Sequence, residues 1–384
     1  MKKNIVIIGA NDFQNQLILR AKEMGFITHV FAWQCGDIGE RTADYFYPVS
    51  IVENERILEI CRAIDPVGVV SIASDLANIT VNYVSQGLGL TCNGMDSALV
   101  STNKHRMRQA FERAGLPSCK SRLVSDAEDA LSSGMSFPVI IKPTDRSGSR
   151  GIFKVTESSQ LPSAIAQARA HSFEKKVLME EFAEGREYSI EYVSWQGEHH
   201  FLACTEKFTT GAPLFVENGH LEPAFHITPE LLGKIKDLVP KVLDCLGVKF
   251  GASHTELKID DAGNIRLIEC GSRMGGDCIG SDLVYLSTGI DYVTAVTDIA
   301  CGKAPDLTPA FPGRVAAVRF IFNARDLENL AYIKSRYPEA IYRVSDILPI
   351  DGREISDSST RYGYYILVSD SPEEMQEILS HLDV

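Results

Sequence analysis

The sequence predicts an α/β protein in which an N-terminal doubly wound parallel sheet is followed by a longer α+β region. Apolar, strand-like runs alternate with helix-patterned segments through residues 1–100, as is typical of βαβ units. Strand-rich segments follow from about residue 121, and a small strand set with a final helix begins near residue 305. With 384 residues, the chain is long enough for two or three domains with sizeable cores.

Six elements account for residues 1–100. The strands read NIVIIG, ITHVFAW and GVVSIAS, and the helices read NQLILRAKEMG, NERILEICRAID and ANITVNYVSQGLG. Gly9-Ala10-Asn11-Asp12 follows the first strand, so the GxGxxG dinucleotide fingerprint is absent and an oxidoreductase is disfavoured. The Ser74-Asp75 pair lies at the carboxyl end of a strand, where open α/β sheets bind ligands. Asp75 is equally suited to cap the helix that follows.

The remaining elements follow from the same patterns. A helix is predicted from Thr102 to Arg113, ended by Gly115 and Pro117. Residues 121–190 read as alternating strands and helices, and REYSIEYVSW and HHFLACTEKF read as further strands. Helices are expected near 229–246 and 282–301. The tail contains the strand RVAAVRFIF and the helix PEEMQEILSHL.

Composition excludes several classes of partner. The net charge of −13 and the pI near 5.2 argue against broad binding to nucleic acid or anionic membranes. The first apolar run stops after five residues at Gly9, too short for the core of a signal peptide, and no run approaches the roughly 18–20 apolar residues of a membrane span. Nine scattered cysteines without CxxC pairs suggest reduced thiols. We therefore expect a cytoplasmic protein.

Two acids, Glu256 and Glu269, are the most informative residues. They lie in TELKI and IRLIE, which flank a turn-forming DAGN segment and read as a β-hairpin. A loop of two or four residues about Ala262-Gly263 would place the two acids opposite each other, whereas a three-residue loop would break this pairing. Like charges opposite each other are destabilising and need a cation between them. Carboxylate oxygens suit Mg²⁺.

A second pattern points to phosphate binding. Lys142 ends the strand PVIIK, and the Gly/Ser-rich segment Ser147-Gly148-Ser149-Arg150-Gly151 follows closely. Such a loop brings backbone N–H groups near phosphate oxygens, and a lysine partly neutralises their charge. The segment lacks the GK[ST] ending of a P-loop. The alternative is an ordinary polar hairpin loop.

Five further residues are candidates, each with a structural alternative. Lys104, taken alone, reads as a solvated surface lysine rather than a ligand-binding residue. Glu187 would bind a ribose hydroxyl pair, or equally be a surface glutamate. Arg273 would fork onto phosphate or carboxylate, or form a salt bridge with a neighbouring acid. His254 shares a strand face with Glu256 and would contact substrate, or be a hydrogen-bonded structural histidine. Lys207 lies in a polar segment that reads as a substrate loop or an ordered surface loop.

The order of these residues resembles the ATP-grasp superfamily, in its biotin-carboxylase-like branch. The order is Lys104, Lys142 with its Gly/Ser loop, MEEF, Glu187, Glu256, Glu269 and Arg273. The resemblance covers nearly the whole chain. It implies a pre-ATP-grasp domain (1–100), an ATP-grasp domain (101–304) with a lid at about 121–185, and a small C-terminal α+β lobe (305–384).

The resemblance implies a role for each matched residue. Lys104, Lys142 and the loop residues Ser147, Gly148, Ser149 and Gly151 would bind ATP phosphates. Glu180, Glu181, Phe182 and Ala183 would line the adenine, largely through backbone groups, and Glu187 would bind the ribose. Glu256 and Glu269 would hold Mg²⁺, with Mn²⁺ an acceptable substitute, and Arg273 would stabilise an acyl phosphate. Gly271 stands where many members have an asparagine ligand, which removes one expected metal contact.

Short motifs indicate the branch and hence the reaction. HTELK, RMGGD, the TEK segment with Lys207 and the PAFH segment are similar to L-amino-acid ligases and carnosine synthases. Lys142, Lys207, His254 and Arg273 are the expected catalytic residues of an ATP-dependent carboxylate–amine ligase. Its expected substrates are small carboxylates and amines, amino acids above all, and the resemblance allows a homodimer. The alternatives are an enzyme that activates bicarbonate or formate, as carbamoyl-phosphate synthases and purine-biosynthetic relatives do, and a silent ATP-binding regulatory protein.

Overall fold

The computed structural model describes residues 2–212 and 214–382. A four-stranded parallel sheet, ordered β3-β2-β1-β4, forms the N-terminal part. Its elements are β1 (Asn4–Ile8), α1 (Asp12–Glu23), β2 (Ile27–Ala32), α2 (Gly39–Thr42), β3 (Tyr45–Pro48), α3 (Asn54–Ile64), β4 (Val69–Val70) and α4 (Asp75–Leu88). The predicted α/β class is confirmed. Strand β3 was not predicted, because its Tyr-Phe-Tyr-Pro sequence is short and only half-buried.

The carboxyl ends of β1 and β4 form a crevice. These two strands are neighbours, and the strand order reverses between them, which is where open α/β sheets bind ligands. Asn11 caps α1 by accepting a hydrogen bond from the Gln14 N–H at 3.1 Å, and Ser74 caps α4 by accepting one from the Ala77 N–H at 3.3 Å. Ser74, rather than Asp75, is therefore the helix cap, and the Asp75 carboxylate is available for another partner.

Two helices connect this sheet to a second, antiparallel one, ordered β5-β8-β6-β7. The elements are α5 (Met95–Thr102), α6 (Lys104–Arg113), β5 (Ser121–Val124), α7 (Ala127–Ser132), β6 (Val139–Pro143), β7 (Phe153–Val155), α8 (Leu161–His171) and β8 (Val177–Glu181). Asn103 ends α5 in an extended conformation and caps α6 through its side chain. The helix predicted from Thr102 therefore begins at Lys104.

An eight-stranded antiparallel sheet holds most of the remaining chain, in the order β13-β12-β9-β10-β11-β14-β16-β15. Its elements are β9 (Arg186–Trp195), β10 (Glu198–Thr209), β11 (Glu217–Glu222), α9 (Pro229–Cys245), β12 (Gly251–Ile259), β13 (Ile265–Gly271), α10 (Val284–Thr288), α11 (Tyr292–Ala300), β14 (Val315–Ile321), α12 (Ala324–Arg336), β15 (Ile341–Val344), β16 (Gly363–Ser369) and α13 (Pro372–Ser380). The C-terminal strands extend this sheet through β14. The domain limits inferred from the sequence stay predictions.

The helix expected at 282–301 is wrong as a single element. A π-helical turn (Ile279–Leu283) precedes α10, and α10 ends at Gly289 before α11 begins. Gly289 has a φ of +74°, and a Cβ there would lie 2.3 Å from the Phe311 carbonyl oxygen. Close backbone packing therefore requires glycine and breaks the helix at this point. Among the described residues, no helix combines the length and apolar character that crossing a bilayer requires.

Candidate active site

Glu256 and Glu269 lie opposite each other on β12 and β13, but by a different route from the one predicted. The Asp260 N–H donates to the Asn264 carbonyl at 3.2 Å, and the Asp260 side chain accepts from the Ala262 and Asn264 N–H groups. These bonds close a three-residue loop, so the predicted two- or four-residue loop is wrong. That register alone would set Glu256 against Ile268.

A β-bulge restores the pairing of the two acids. The register shifts between Leu257, opposite Leu267, and Glu256, opposite Glu269, so Ile268 is an extra residue on β13. Arg108 of α6 donates a 2.7 Å hydrogen bond to the Ile268 carbonyl. The bulge carbonyl thus has a partner, and both carboxylates face the same side of the sheet.

In the absence of ligands, lysines neutralise this acid pair. Lys207 Nζ lies 2.7 Å from Glu256, and Lys104 Nζ lies 2.9 Å from Glu269. Burial raises the pKa of Glu256, but Lys207 and His254 outweigh burial and hold this pKa well below its ordinary value. No group of three or more metal-binding side chains occurs in residues 2–212 and 214–382. The two hard-oxygen donors nevertheless fit Mg²⁺, which completes its shell with water and phosphate.

The predicted nucleotide residues converge on one cleft with an empty volume of about 960 Å³, here called the nucleotide cleft. It lies between the four-stranded antiparallel sheet and the eight-stranded sheet. The predicted residues that line it are Lys104, Lys142, Ser147, Gly148, Ser149, Glu180, Glu181, Phe182, Ala183, Glu187, Glu256, Glu269 and Arg273. Gly151, Lys207 and His254 do not line it. Gly151 instead packs against His171 of α8, where an added Cβ would lie 3.0 Å from the His171 Cβ.

Glu180 has a structural role that the sequence did not reveal. Its carboxylate is almost fully buried and binds Arg108 at 2.8 and 3.2 Å and Lys142 at 2.6 Å. Burial raises the pKa of Glu180, but the two cations outweigh burial and lower this pKa to about 2. Glu180 thus holds Lys142 at the base of the nucleotide cleft, and Arg108 links the acid to the bulge at Ile268.

The edge of the nucleotide cleft near residues 181–187 combines an aromatic ring with charged groups. The Phe182 ring has Lys154 Nζ 3.8 Å and Lys258 Nζ 5.3 Å from its centroid. Glu181 is more exposed, and its carboxylate accepts from the Lys120 N–H at 3.1 Å. Glu187, the predicted ribose ligand, lies 2.9 Å from Lys207 Nζ. A ribose would therefore have to compete with this lysine.

The Gly/Ser loop covers the nucleotide cleft. Gly148, Ser149 and Gly151 all have positive φ angles, of +70°, +58° and +73°, a left-handed conformation that favours glycine. The Ser149 hydroxyl lies 3.3 Å from the Phe215 carbonyl and 3.4 Å from Glu217. The loop therefore contacts the eight-stranded sheet across the cleft.

Arg273 forms the salt bridge that was the alternative to its functional role. Its guanidinium binds the Asp75 carboxylate at 2.8 and 3.2 Å, across 198 positions of sequence. A Cβ at Gly271 would lie 3.2 Å from Asp75 Oδ1 and 3.3 Å from Arg273 Nε. The missing side chain at position 271 therefore leaves room for this ion pair, which still borders the nucleotide cleft.

A second cavity, with an empty volume of about 860 Å³, adjoins the nucleotide cleft and shares Glu256 and Arg273 with it. Lys207 and His254 line this second cavity. His254 Nε2 lies 3.1 Å from Glu256, and Nδ1 contacts the fully buried Glu191. Burial lowers the pKa of His254, but Glu191 and Glu256 raise this pKa to about 9. His254 is hydrogen-bonded on both nitrogens, as its structural alternative requires, and it also lines the second cavity, so its contact with substrate stays a prediction.

Sequence reasoning missed the acids and the arginine that complete this region. Glu217 lies 3.6 Å from Lys207, and Asp277 lies 2.8 Å from Arg361 of the C-terminal region. Glu191 also accepts the Gly275 N–H at 3.0 Å. A signal existed for Glu191, a charged residue inside the apolar strand SIEYV. No local signal pointed to Arg361, because only the folded chain brings the segment that precedes β16 close to Glu217.

Comparison with known proteins agrees with this geometry. A family model described as an ATP-grasp domain matches residues 135–281. Alanine–anticapsin ligase from Bacillus amyloliquefaciens is 28% identical over 308 residues, which cover 71% of this chain and 64% of the relative. The carbamoyl phosphate synthase large chain from Thermotoga sp. is 26% identical over 270 residues, covering 68% and 24%. The chain thus spans less than two thirds of the length of these relatives.

Solved structures show the same fold. The L-amino acid ligase from Bacillus licheniformis superposes with a TM-score of 0.83 at 22% identity, covering 100% of this chain and 97% of the other. The family match includes Lys142, the Gly/Ser loop, Glu256, Glu269 and Arg273 within its limits. Residues 135–281 therefore match an ATP-grasp domain, and the chain shares the fold of the solved ligase structure.

Proposed function

We propose that this chain is an ATP-dependent carboxylate–amine ligase. It forms an amide, in a dipeptide-like product, through an acyl-phosphate intermediate, and releases ADP and phosphate. One observation carries the proposal: the two acids of the hairpin and two buried lysines meet in the nucleotide cleft, which opens on a second, charged cavity. The ligases among the relatives support the same reaction class.

In this proposal ATP occupies the nucleotide cleft. Lys104 and Lys142 bind its phosphates beneath the Gly/Ser loop, whose glycines allow backbone N–H groups to approach phosphate oxygens. Phe182 and Ala183 border the adenine, and Glu187 binds the ribose. Glu256 and Glu269 would hold Mg²⁺, which would supply charge neutralisation at the phosphates.

The reaction follows from the chemistry of a carboxylate. The oxygen of the acid substrate attacks the γ-phosphorus, the bond to the β–γ bridging oxygen breaks, and ADP leaves. The amine nitrogen then attacks the acyl carbon, inorganic phosphate leaves, and the ammonium proton passes to solvent or a nearby base. Phosphoryl transfer depends mainly on positioning and charge neutralisation. Arg273 and Lys207, which border the second cavity, neutralise the acyl phosphate.

Phosphate release tests the proposal. The purified chain is incubated with ATP, Mg²⁺ and pooled amino acids, then with single acids and pairs. Release that requires two amino acids supports the ligase. Release with bicarbonate or formate alone supports the alternative reaction, and ATP binding without release across a broad panel of acids supports a regulatory protein.

A matched pair of variants tests the site. We expect Glu269→Gln to lower phosphate release about a hundredfold or more, because it removes half of the charge that holds the metal. Glu230→Gln is the control, since Glu230 is exposed on α9 and pairs only with Lys234 in the next turn. Circular dichroism verifies that both variants fold. Release by Glu269→Gln at the rate of Glu230→Gln would refute the assignment.

A further inference from the structure

The second cavity is assembled from parts of the chain that are distant in sequence. Asn11 and Phe13 lie at the carboxyl end of β1, Arg150 belongs to the Gly/Ser loop, and Ser358 comes from the C-terminal region. Ser147 and Gly148 of the loop line both spaces, whereas Ser149 lines only the nucleotide cleft and Arg150 lines only the second cavity. Arg150 therefore lies on the side of the loop where the proposed function places the substrate.

Arg150 differs from the other arginine and the lysine that line this cavity, which are both paired with acids. Arg273 pairs with Asp75 at 2.8 Å, and Lys207 pairs with Glu256 at 2.7 Å. Arg150 makes no hydrogen bond and no ion pair within 4.0 Å among residues 2–212 and 214–382. The charge of Arg150 acts on the carboxylate of Asp357. Burial raises the pKa of Asp357, but hydrogen bonds from Ser359 and the charge of Arg150 lower it overall.

The loop conformation holds Arg150 in this position. Gly148 and Gly151 bracket the arginine with φ angles of +70° and +73°. Gly148 also packs against the C-terminal region so closely that an added Cβ would lie 2.8 Å from the Ser358 hydroxyl. Contacts on both sides of Arg150 thus hold the backbone from which its side chain projects.

We propose that Arg150 is a specificity-determining residue that binds a second anionic group of the acid or amine substrate. This inference rests on the proposed ligase function and names its substrate class: an amino acid with an additional carboxylate or phosphate. A guanidinium presents a planar fork that matches either group bidentately. The partial positive charge at the N-terminus of α1, capped by Asn11 at the same cavity, adds to the preference for an anion.

Matched substrate pairs test this assignment. The kcat/KM for phosphate release is measured with glutamate against glutamine, aspartate against asparagine, and phosphoserine against serine, each with a constant partner amino acid. We expect the wild type to prefer the anionic member of at least one pair. The carboxylate and phosphoserine arms distinguish the two sources of negative charge.

Arg150→Gln then removes the charge. We expect kcat/KM for the preferred anionic substrate to fall about tenfold to a hundredfold, as for a lost charge-assisted hydrogen bond. The neutral member of the pair should change less than about threefold, and KM for ATP should not change. Arg150→Lys keeps the charge without the fork and should give an intermediate value. Arg62→Gln, an exposed arginine on α3, is the matched control.

Two outcomes overturn the inference. One is a wild-type preference for the neutral members. The other is an equal loss for both members in Arg150→Gln, which would indicate that Arg150 only positions the loop. If no amino acid supports phosphate release, the ligase proposal itself fails. In that case the role of Arg150 is tested by calorimetry, which measures binding of the same substrate pairs to the protein in the presence of a non-hydrolysable ATP analogue. A selective loss of affinity for the anionic member in Arg150→Gln supports the role of Arg150. Equal affinities in Arg150→Gln and the wild type refute it.

Discussion

Neutralising Glu180 tests whether this acid holds the base of the nucleotide cleft together. Glu180→Gln keeps the size of the side chain but removes the negative charge between Arg108 and Lys142. Both cations lie within 3.2 Å of the carboxylate and are buried with it. The variant leaves two buried positive charges close together without the acid that compensates them, and such groups are costly to bury.

The pKa shift of Glu180 gives the size of the expected loss in stability. The difference between the ordinary value of 4.5 and the value of about 2 in the fold corresponds to about 3 kcal/mol, at 1.36 kcal/mol per pKa unit. This agrees with the 3–5 kcal/mol typical of removing one partner of a buried ion pair, roughly at its lower end. Because the folded-state pKa is depressed, this stabilisation is fully present above pH 4.5 and is lost as the pH falls towards 2.

Hydrogen–deuterium exchange measures the effect where it arises. Peptides from α6, β6 and β8 should exchange faster in Glu180→Gln than in the wild type at pH 7, because the free energy of local opening should be about 3 kcal/mol lower. Urea unfolding should show a lower midpoint that approaches the wild-type value as the pH falls towards 2. Glu181→Gln is the control, since Glu181 is the adjacent residue, is 41% exposed and pairs with an exposed lysine. Equal protection in the wild type and Glu180→Gln would refute the reasoning.

Two further predictions concern stability. Burial raises the pKa of Glu222, which is bonded to Thr205 and Ser287, from 4.5 to about 7, so the stability of the wild type should fall by about 3 kcal/mol between pH 4.5 and pH 8. Glu222→Gln should reduce the loss of stability between pH 5 and pH 8 by about 3 kcal/mol in urea unfolding, and a loss equal to that of the wild type would contradict the assignment. Gly185 has a φ of +102°, and a Cβ there would lie 2.0 Å from the Ile259 carbonyl oxygen, so Gly185→Ala should cost more than about 2 kcal/mol of unfolding free energy. Gly197→Ala, with a φ of +87° and no atom within 4 Å, should cost only about 1 kcal/mol, and equal losses would show that the contact with Ile259 is unimportant.

The acid pair illustrates how far sequence reasoning reached. The opposition of Glu256 and Glu269 was predicted correctly, but the reason was wrong, since the loop has three residues and a bulge at Ile268 restores the register. A bulge depends on what its unpaired backbone groups contact. Here the contact is Arg108, a residue 160 positions away. No local pattern in the hairpin contains that information.

The split of the predicted helix at 282–301 has a similar cause. Its apolar periodicity is compatible with one helix, and Gly289 alone does not determine a break. The break follows from the approach of the Phe311 backbone, which leaves no room for a Cβ at position 289. Local propensity was therefore overridden by packing between segments more than twenty residues apart.

The sequence by itself determined the alternation of strands and helices, the hairpin with its two acids, and the order of lysines, loop and acids along the chain. These depend on periodicity and on residue type, which are local properties. Only the tertiary structure decided which charges pair: Glu180 with Arg108 and Lys142, Asp75 with Arg273, and Lys207 with three glutamates. Among the residues that the structure describes, it left Arg150 in the second cavity without such a partner. Ion pairing in a buried site depends on distances of a few ångströms between distant segments, and these distances exist only once the sheets have packed.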